Sequence, residues 1–178
     1  HSFGILTSTL AGELFATHLP LMLGTPGSDV RLLGHLARAN PQWQELEGQS
    51  GLVVFPGPHT YVSPSRYESE NVVPTWNYVA VHAYGVCRLM TDPAELHALL
   101  QRMIDTYERN MPRPWSLTDD AFLEKMAMQI GGFTIDVRRL EGKWKLNQNH
   151  PRERREKVVH ALRQSSDAEA REIAALME

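Results

Sequence analysis

The chain has 178 residues, 42% of them hydrophobic and 22% charged, with a formal net charge of −3 and a sequence pI near 6.3. This balance fits one globular domain with an ordinary core and excludes a broad nucleic-acid-binding face, which needs a basic stripe. The one cysteine, Cys87, excludes an intramolecular disulfide and fits a reducing cytoplasm; no run nears the ~18 apolar residues of a membrane span, and the start does not read as a signal peptide.

The first half reads as β-structure. Phe3 to Thr9, Leu14 to Thr17 and Leu19 to Leu23 are short apolar runs broken by Gly12, Pro20 and Gly24. Gly24-Thr25-Pro26-Gly27 is a turn, and Arg31 to His35 begins the next strand. Asn40-Pro41 is a helix cap followed by a first-turn proline, predicting a short helix to about Leu46 that ends near Gly48. Gly51 to Phe55 and His59 to Val62 read as two more strands, punctuated by Pro56, Pro58 and Pro64. Five or six short strands this closely spaced suggest a barrel.

VPTWNYVAVHAYG, Val73 to Gly85, joins a turn to a long alternating strand. Pro74 marks its start, because proline cannot donate to a ladder. Asn77, Val79, Val81 and Ala83 fall on one side and Tyr78, Ala80, His82 and Tyr84 on the other. Trp76, Asn77 and Tyr78 at the strand start either line a pocket for a flat polar ring or make a well-packed beginning. Cys87, two residues further on, reads as a buried small hydrophobe.

The rest is mostly helical. Asp92-Pro93-x-Glu95 caps a helix whose Leu96, Leu99, Leu100, Met103, Ile104 and Tyr107 recur at core-packing spacing. Thr118-Asp119-Asp120 caps another, with Phe122, Leu123 and Met126 inward and Gly131 as its stop. Phe133 to Leu140 is the last strand. Pro151 to Gln164 carries Arg152, Arg154, Arg155 and Lys157 against Glu153 and Glu156, which makes a solvated face rather than a DNA patch. Ser166-x-x-Glu169 is a capping box for a final helix with Ile173 and Met177 inward. No G-x-S-x-G, Walker or G-x-G-x-x-G motif occurs, and His59 and His82 lack metal-ligand spacing. Any redox chemistry therefore belongs to a cofactor.

Separated blocks carry a family resemblance. GHLARANPQW (Gly34 to Trp43), GPHTYVSPSRY (Gly57 to Tyr67), the Val73 to Gly85 run and EGKWKLNQNHP (Glu141 to Pro151) stand in the order of the PaiB-type FMN-binding negative transcriptional regulators, and ATHLPLML (Ala16 to Leu23) extends the match. The chain resembles that family from Phe3 to about Met177. Three positions depart from its pattern: Arg66 where the family has Trp, Asn147 where it has Ser, and His150 where it has Arg. The resemblance implies a mainly β, α+β chain: a six-stranded FMN-binding split β-barrel with peripheral helices. It implies a single domain over 1–178 that is N-terminally incomplete, with C-terminal helices from about 151 to 178. It further implies a cytoplasmic homodimer with FMN near the interface, and repression acting on DNA directly or through a partner protein. The alternatives are a flavin-dependent oxidoreductase of the same barrel class and a degenerate barrel without FMN.

FMN wants cations and hydroxyls for its phosphate, short polar groups for its ribityl chain and a flat wall for its ring. The matching blocks supply His18 in THLP, then His35, Arg38 and Asn40 at a helix start. Ser63 and Ser65 add hydroxyls, Trp76 a plane, Asn77 and Gln148 amides, and Lys143 a cation. The resemblance implies that the fold brings them together. Each has a plainer reading: Arg38 as an exposed arginine at a helix start, His18 as a core histidine, Lys143 and Lys145 as surface charges, and Asn147-Gln148-Asn149 as a turn.

Overall fold

The computed structural model describes residues 1–24, 30–66, 73–116 and 120–178. Thr25, Pro26 and Gly27 of the expected turn, Tyr67 of the second block and the caps Thr118 and Asp119 lie outside the described residues; so do the side chains of Arg66, Asp120, Phe122 and Leu123.

Among the described residues, seven strands, one more than the six the resemblance implied, and four α-helices make an α+β chain, as expected. The strands are β1 (Phe3–Leu10), β2 (Glu13–Pro20), β3 (Met22–Leu23), β4 (Arg31–Ala37), β5 (Ser50–Val62), β6 (Thr75–Leu89) and β7 (Ile130–Lys145). The helices are α1 (Pro93–Glu108), α2 (Asp120–Ala127), α3 (Arg152–Arg163) and α4 (Ala168–Leu176), and Pro41–Glu45 is a 3-10 turn. The sheet order is β2-β1-β5-β6-β7-β4-β3. The chain forms two compact units, residues 1–55 with 82–140 and residues 56–81 with 141–178.

Three strand boundaries differ from the sequence expectation. The two runs around Leu14 to Leu23 rearrange: β2 continues through His18 to Pro20, and Met22–Leu23 then pairs with Leu33 and Leu32 as a separate strand. The runs on either side of Pro56 and Pro58 form one strand, β5. Its registered pairing with β1 spans only Leu52 to Val54, so the prolines lie beyond that ladder, where a missing N–H is tolerated. Gly131 does not stop a helix. It lies inside β7, which runs on through Trp144 to Lys145.

In the first unit, β1 and β2 form a hairpin in register from Phe3↔Pro20 to Leu10↔Glu13. The two-residue turn has positive φ at both positions, Ala11 at 51° and Gly12 at 84°. Such a turn matches strand twist and suits glycine, and the Ala11 N–H donates to Glu45 Oε2 at 3.1 Å, which helps hold the less favourable residue. β4 pairs antiparallel with β7 from Arg31↔Asp136 to Ala37↔Ile130. β2 lies against β4, so strands near opposite ends of the order meet. Between them Leu6, Leu19, Leu32, Leu36, Val53, Phe133 and Ile135 form a core with Cys87; each large apolar side chain contributes about 1.5–3 kcal/mol on burial. Leu99 and Met103 of α1 pack on Met22 in a smaller cluster. Two expected core residues differ: Tyr107 is partly exposed, with its hydroxyl donating to Ser2 Oγ at 2.9 Å, and Met126 is 42% exposed.

In the second unit, Val158 and Leu162 of α3 pack with Ala170, Ile173 and Ala174 of α4 around Val62, Leu146 and Met177. The opposite face of α3 carries Lys157–Glu153 (3.2 Å) and Arg152–Glu156 (2.6 Å) pairs one turn apart. The cap of α4 is Asp167, whose Oδ1 accepts from Glu169 N at 3.0 Å. The expected Ser166 capping box does not form, because the Glu169 carboxylate is turned to His59 instead. Among the described residues no helix is long and apolar enough to cross a membrane.

Two measurements test this packing. A Cβ at Gly131 would lie 2.2 Å from the Trp43 ring. Gly131→Ala should therefore cost about 1–3 kcal/mol in urea unfolding, and less in a Trp43→Ala background, since the two positions share one contact. Burial pushes the Cys87 thiol up to about 11, with the Glu47 carboxylate adding to the shift. At pH 8 roughly one thiol in a thousand is ionised. A disulfide reagent should label the native protein far more slowly than the urea-unfolded chain; equal rates would contradict the buried position.

Candidate functional site

The first unit fixes its candidates at the end of β4. Asn40 is extended (φ −73°, ψ 120°) and its side-chain oxygen accepts from Gln42 N at 3.0 Å, capping the 3-10 turn. Its amide Nδ2 donates to Thr17 Oγ1 at 3.0 Å, tying that turn to β2. The Arg38 backbone N–H donates to Gln129 O at 2.9 Å, its Nε donates to Ile130 O at 2.9 Å, and its guanidinium lies 5.7 Å from the Trp43 ring centroid. Arg38 is thus a positioned arginine rather than a loose one. His35 is opposite Gly132 in the β4–β7 register. Burial holds its imidazole below the ordinary value, so it is neutral at pH 7, and its Nδ1 has no partner among the described residues. His18 is exposed beside Phe3 at a ring distance of 6.4 Å, which sets aside a core role. The unforeseen residue here is Gln42. It is buried, donating from Nε2 to Ser8 Oγ at 2.9 Å while its Oε1 is unpartnered. Nothing in NPQW singles out a buried glutamine.

The second unit holds the rest. Ser63 Oγ and Ser65 Oγ lie 2.8 Å apart, and Ser65 N–H donates to Ser63 Oγ at 3.3 Å. Lys143 and Gln148 are exposed. Lys145 Nζ donates to Thr75 Oγ1 at 2.6 Å. Trp144 is half-exposed, its ring packed where a Cβ on Gly142 would otherwise be. Gln148 closes the turn after β7: its Oε1 accepts from Leu146 N at 2.8 Å and its Nε2 donates to Trp144 O. Asn147 takes φ 58°, which asparagine tolerates, and is 5% exposed with Nδ2 unpartnered. Asn77 was expected to offer an amide to a ligand at the start of the strand. It is instead wholly buried, because it falls on the inner side of β6, and its Nδ2 donates to Met177 Sδ at 3.4 Å.

Trp76 faces a different environment. It lines a cleft of about 460 Å³ with His59, Thr60, Tyr61, Ser165, Asp167 and Glu169. Its ring lies 6.0 Å from that of His59 and 5.8 Å from that of Tyr61, the latter edge-on. His59 meets Glu169 Oε2 twice, from Nδ1 at 2.7 Å and from the backbone N–H at 3.0 Å. This cleft escaped sequence reading because its walls come from segments about 110 residues apart. Among the described residues no cluster of His, Cys, Asp and Glu could hold a metal ion.

The donor chemistry suits FMN. The Ser63–Ser65 hydroxyl pair and the exposed Lys143 are of donor types that a phosphate dianion takes. Buried amide or imidazole atoms left unpartnered, such as Asn147 Nδ2 and His35 Nδ1, carry a cost of about 1–3 kcal/mol each that a ligand could relieve.

Comparison with known proteins supplies the family. The model described as "Putative FMN-binding domain" matches residues 1–139. "Protease synthase and sporulation protein PAI 2" of Bacillus subtilis (strain 168) is 38% identical over 181 residues, covering 100% of this chain and 86% of that protein. An uncharacterized protein of Emericella nidulans is 31% identical over 199 residues, covering 88% and 79%. Among solved structures, the flavocytochrome Anf3 of Azotobacter vinelandii matches with a TM-score of 0.61 at 15% identity, covering 81% of this chain and 62% of that one. The FAD- and heme-binding protein of Mycobacterium smegmatis gives 0.56 at 15%, covering 81% and 65%. This chain spans less than two thirds of either solved chain, and at that identity the likeness is one of fold: the split barrel of flavin-binding proteins. The chain belongs to the FMN-binding domain family, in its PaiB-type group, and FMN is the cofactor of that family.

Proposed function

We propose that this protein binds FMN and represses transcription through a partner protein, as a cytoplasmic homodimer. The observation that carries the reading is the match along the whole chain to a protein named for protease synthesis and sporulation, at 38% identity. Indirect action follows from the surface. The formal charge is −3, and Arg152 and Lys157 of α3 are paired with Glu156 and Glu153, so they neutralise fewer phosphates than a DNA-binding helix needs. A homodimer accounts for apolar side chains exposed on the first strands, Phe3, Leu14 and Leu23.

In the second unit, Ser63 and Ser65 offer paired hydroxyls and Lys143 an exposed cation, the donor types assigned to the phosphate. In the first unit, His35 and Arg38 offer a buried imidazole nitrogen and a positioned cation. Asn40 and Gln148 spend their amides on their own turns and act by shaping them. Bound FMN supplies the redox chemistry of its ring; the side chains bind, orient and exclude water.

Titration of the flavin-free protein with FMN, followed by absorbance after removal of unbound ligand, should show close to one flavin retained per chain. Lys143→Ala and the double change Ser63→Ala with Ser65→Ala should each weaken binding about ten- to a hundredfold, the value of charge-assisted hydrogen bonds. A colourless protein at saturating FMN would overturn the cofactor reading. Direct repression has its own readout: a promoter fragment should remain unshifted at low salt with the purified protein alone. A shift whose affinity falls steeply with salt would instead assign the DNA contact to this chain.

A further inference from the structure

The cleft beside Trp76 has the wrong charge for a flavin phosphate. Among the described residues neither lysine nor arginine lines it, whereas Asp167 and Glu169 do. The start of α4 adds a partial positive charge of about half a unit, which two carboxylates outweigh. Among the described residues each carboxylate has one oxygen without a hydrogen-bond partner. Asp167 uses Oδ1 to cap α4, and Glu169 uses Oε2 for both of its bonds to His59.

The walls carry a second, independent signal. Trp76 is 53% exposed and Tyr61 43%, although both are large aromatic groups beside a well-filled core. Their rings lie 5.8 Å apart at 63° to one another, and both residues line the cleft. A ring face attracts a cation through its quadrupole, tryptophan most strongly. Aromatic walls with carboxylates behind them suit an organic ammonium ion, which is apolar at its carbons and positive overall. The cleft volume of about 460 Å³ is that of a small-ligand site.

We propose that this cleft binds a small organic ammonium ion, with Trp76 and Tyr61 as its aromatic wall and Asp167 and Glu169 as its counter-charges. His59 is a positioning residue: its Nδ1 and its backbone N–H hold the Glu169 carboxylate against β5. The site is distinct from the FMN reading and does not rest on it.

Benzyltrimethylammonium chloride is the probe, with benzenesulfonate as the anion of similar shape. Both are titrated into the full chain, with and without FMN, while indole fluorescence and the heat of binding are followed. The expected result is saturable binding of the ammonium at millimolar concentration, unchanged by FMN, and none of the sulfonate. Glu169→Gln keeps an acceptor for His59 and removes the charge; it should weaken binding on the order of tenfold. Trp76→Leu should do the same while Trp76→Phe retains most of the affinity, each variant being checked for a native unfolding curve. Equal response to the sulfonate, no saturation, indifference to all three substitutions, or binding abolished by FMN would each overturn the proposal; the last would give the Trp76 face to the flavin.

Discussion

The placement of the Trp43 indole on the backbone of Gly131 organises the first unit. The ring occupies the space where any larger residue at 131 would put its Cβ, so the turn after β4 is clamped to the beginning of β7. Two other bonds depend on that clamp. Arg38 reaches Ile130 O because the turn is held there, and it lies over the same indole. Asn40 spans to Thr17 from the other side. Close packing makes the arrangement stiff, because a void of even a methyl group loses contact energy on every wall.

The second unit relies on a different economy. Two short helices cannot hold themselves in water, and propensity alone leaves helices of this length marginal. They are held by one apolar cluster between α3, α4 and Val62 of β5, and by the Asp167 cap. The same local geometry has an electrostatic consequence. Asp167 sits at the start of α4 to satisfy its N–H groups, and Glu169 is drawn to His59, so two carboxylates gather beside two exposed rings. Ser63 and Ser65, further along the chain from the same strand, present hydroxyls instead. One unit therefore offers two chemically opposite environments, hydroxyls for an anion and carboxylates with aromatic rings for a cation.

Local signals proved readable where a single turn of chain decides the outcome. Asn40 before Pro41, Asp92 before Pro93, and the Glu153–Lys157 pair all appear as expected, because a cap or an i,i+4 pair needs no distant partner. The alternation after Pro74 holds in part: Asn77 and Ala83 are buried on one side of β6, whereas Val79 and Val81 are no more buried than their neighbours on the other. Readings failed where a distant group competed. Ser166 lost the cap to Asp167 because His59, far back in the chain, takes the Glu169 side chain. Gly131 looked like a helix stop because nothing local reveals that a tryptophan ring lies over it. Pro56 and Pro58 looked like strand breaks because the extent of the neighbouring ladder is a property of the sheet.

By itself, then, the sequence determined the family, the mainly β character, the caps and the residue types from which a flavin site can be made, since these rest on local backbone preference and on block order along the chain. Tertiary structure alone decided which candidates are surface groups and which are internal. Asn77 is consumed in the core, Gln148 in its own turn, and Trp76 is turned to an acidic cleft, because the direction of a side chain depends on strand register and on what segments a hundred residues away bring against it.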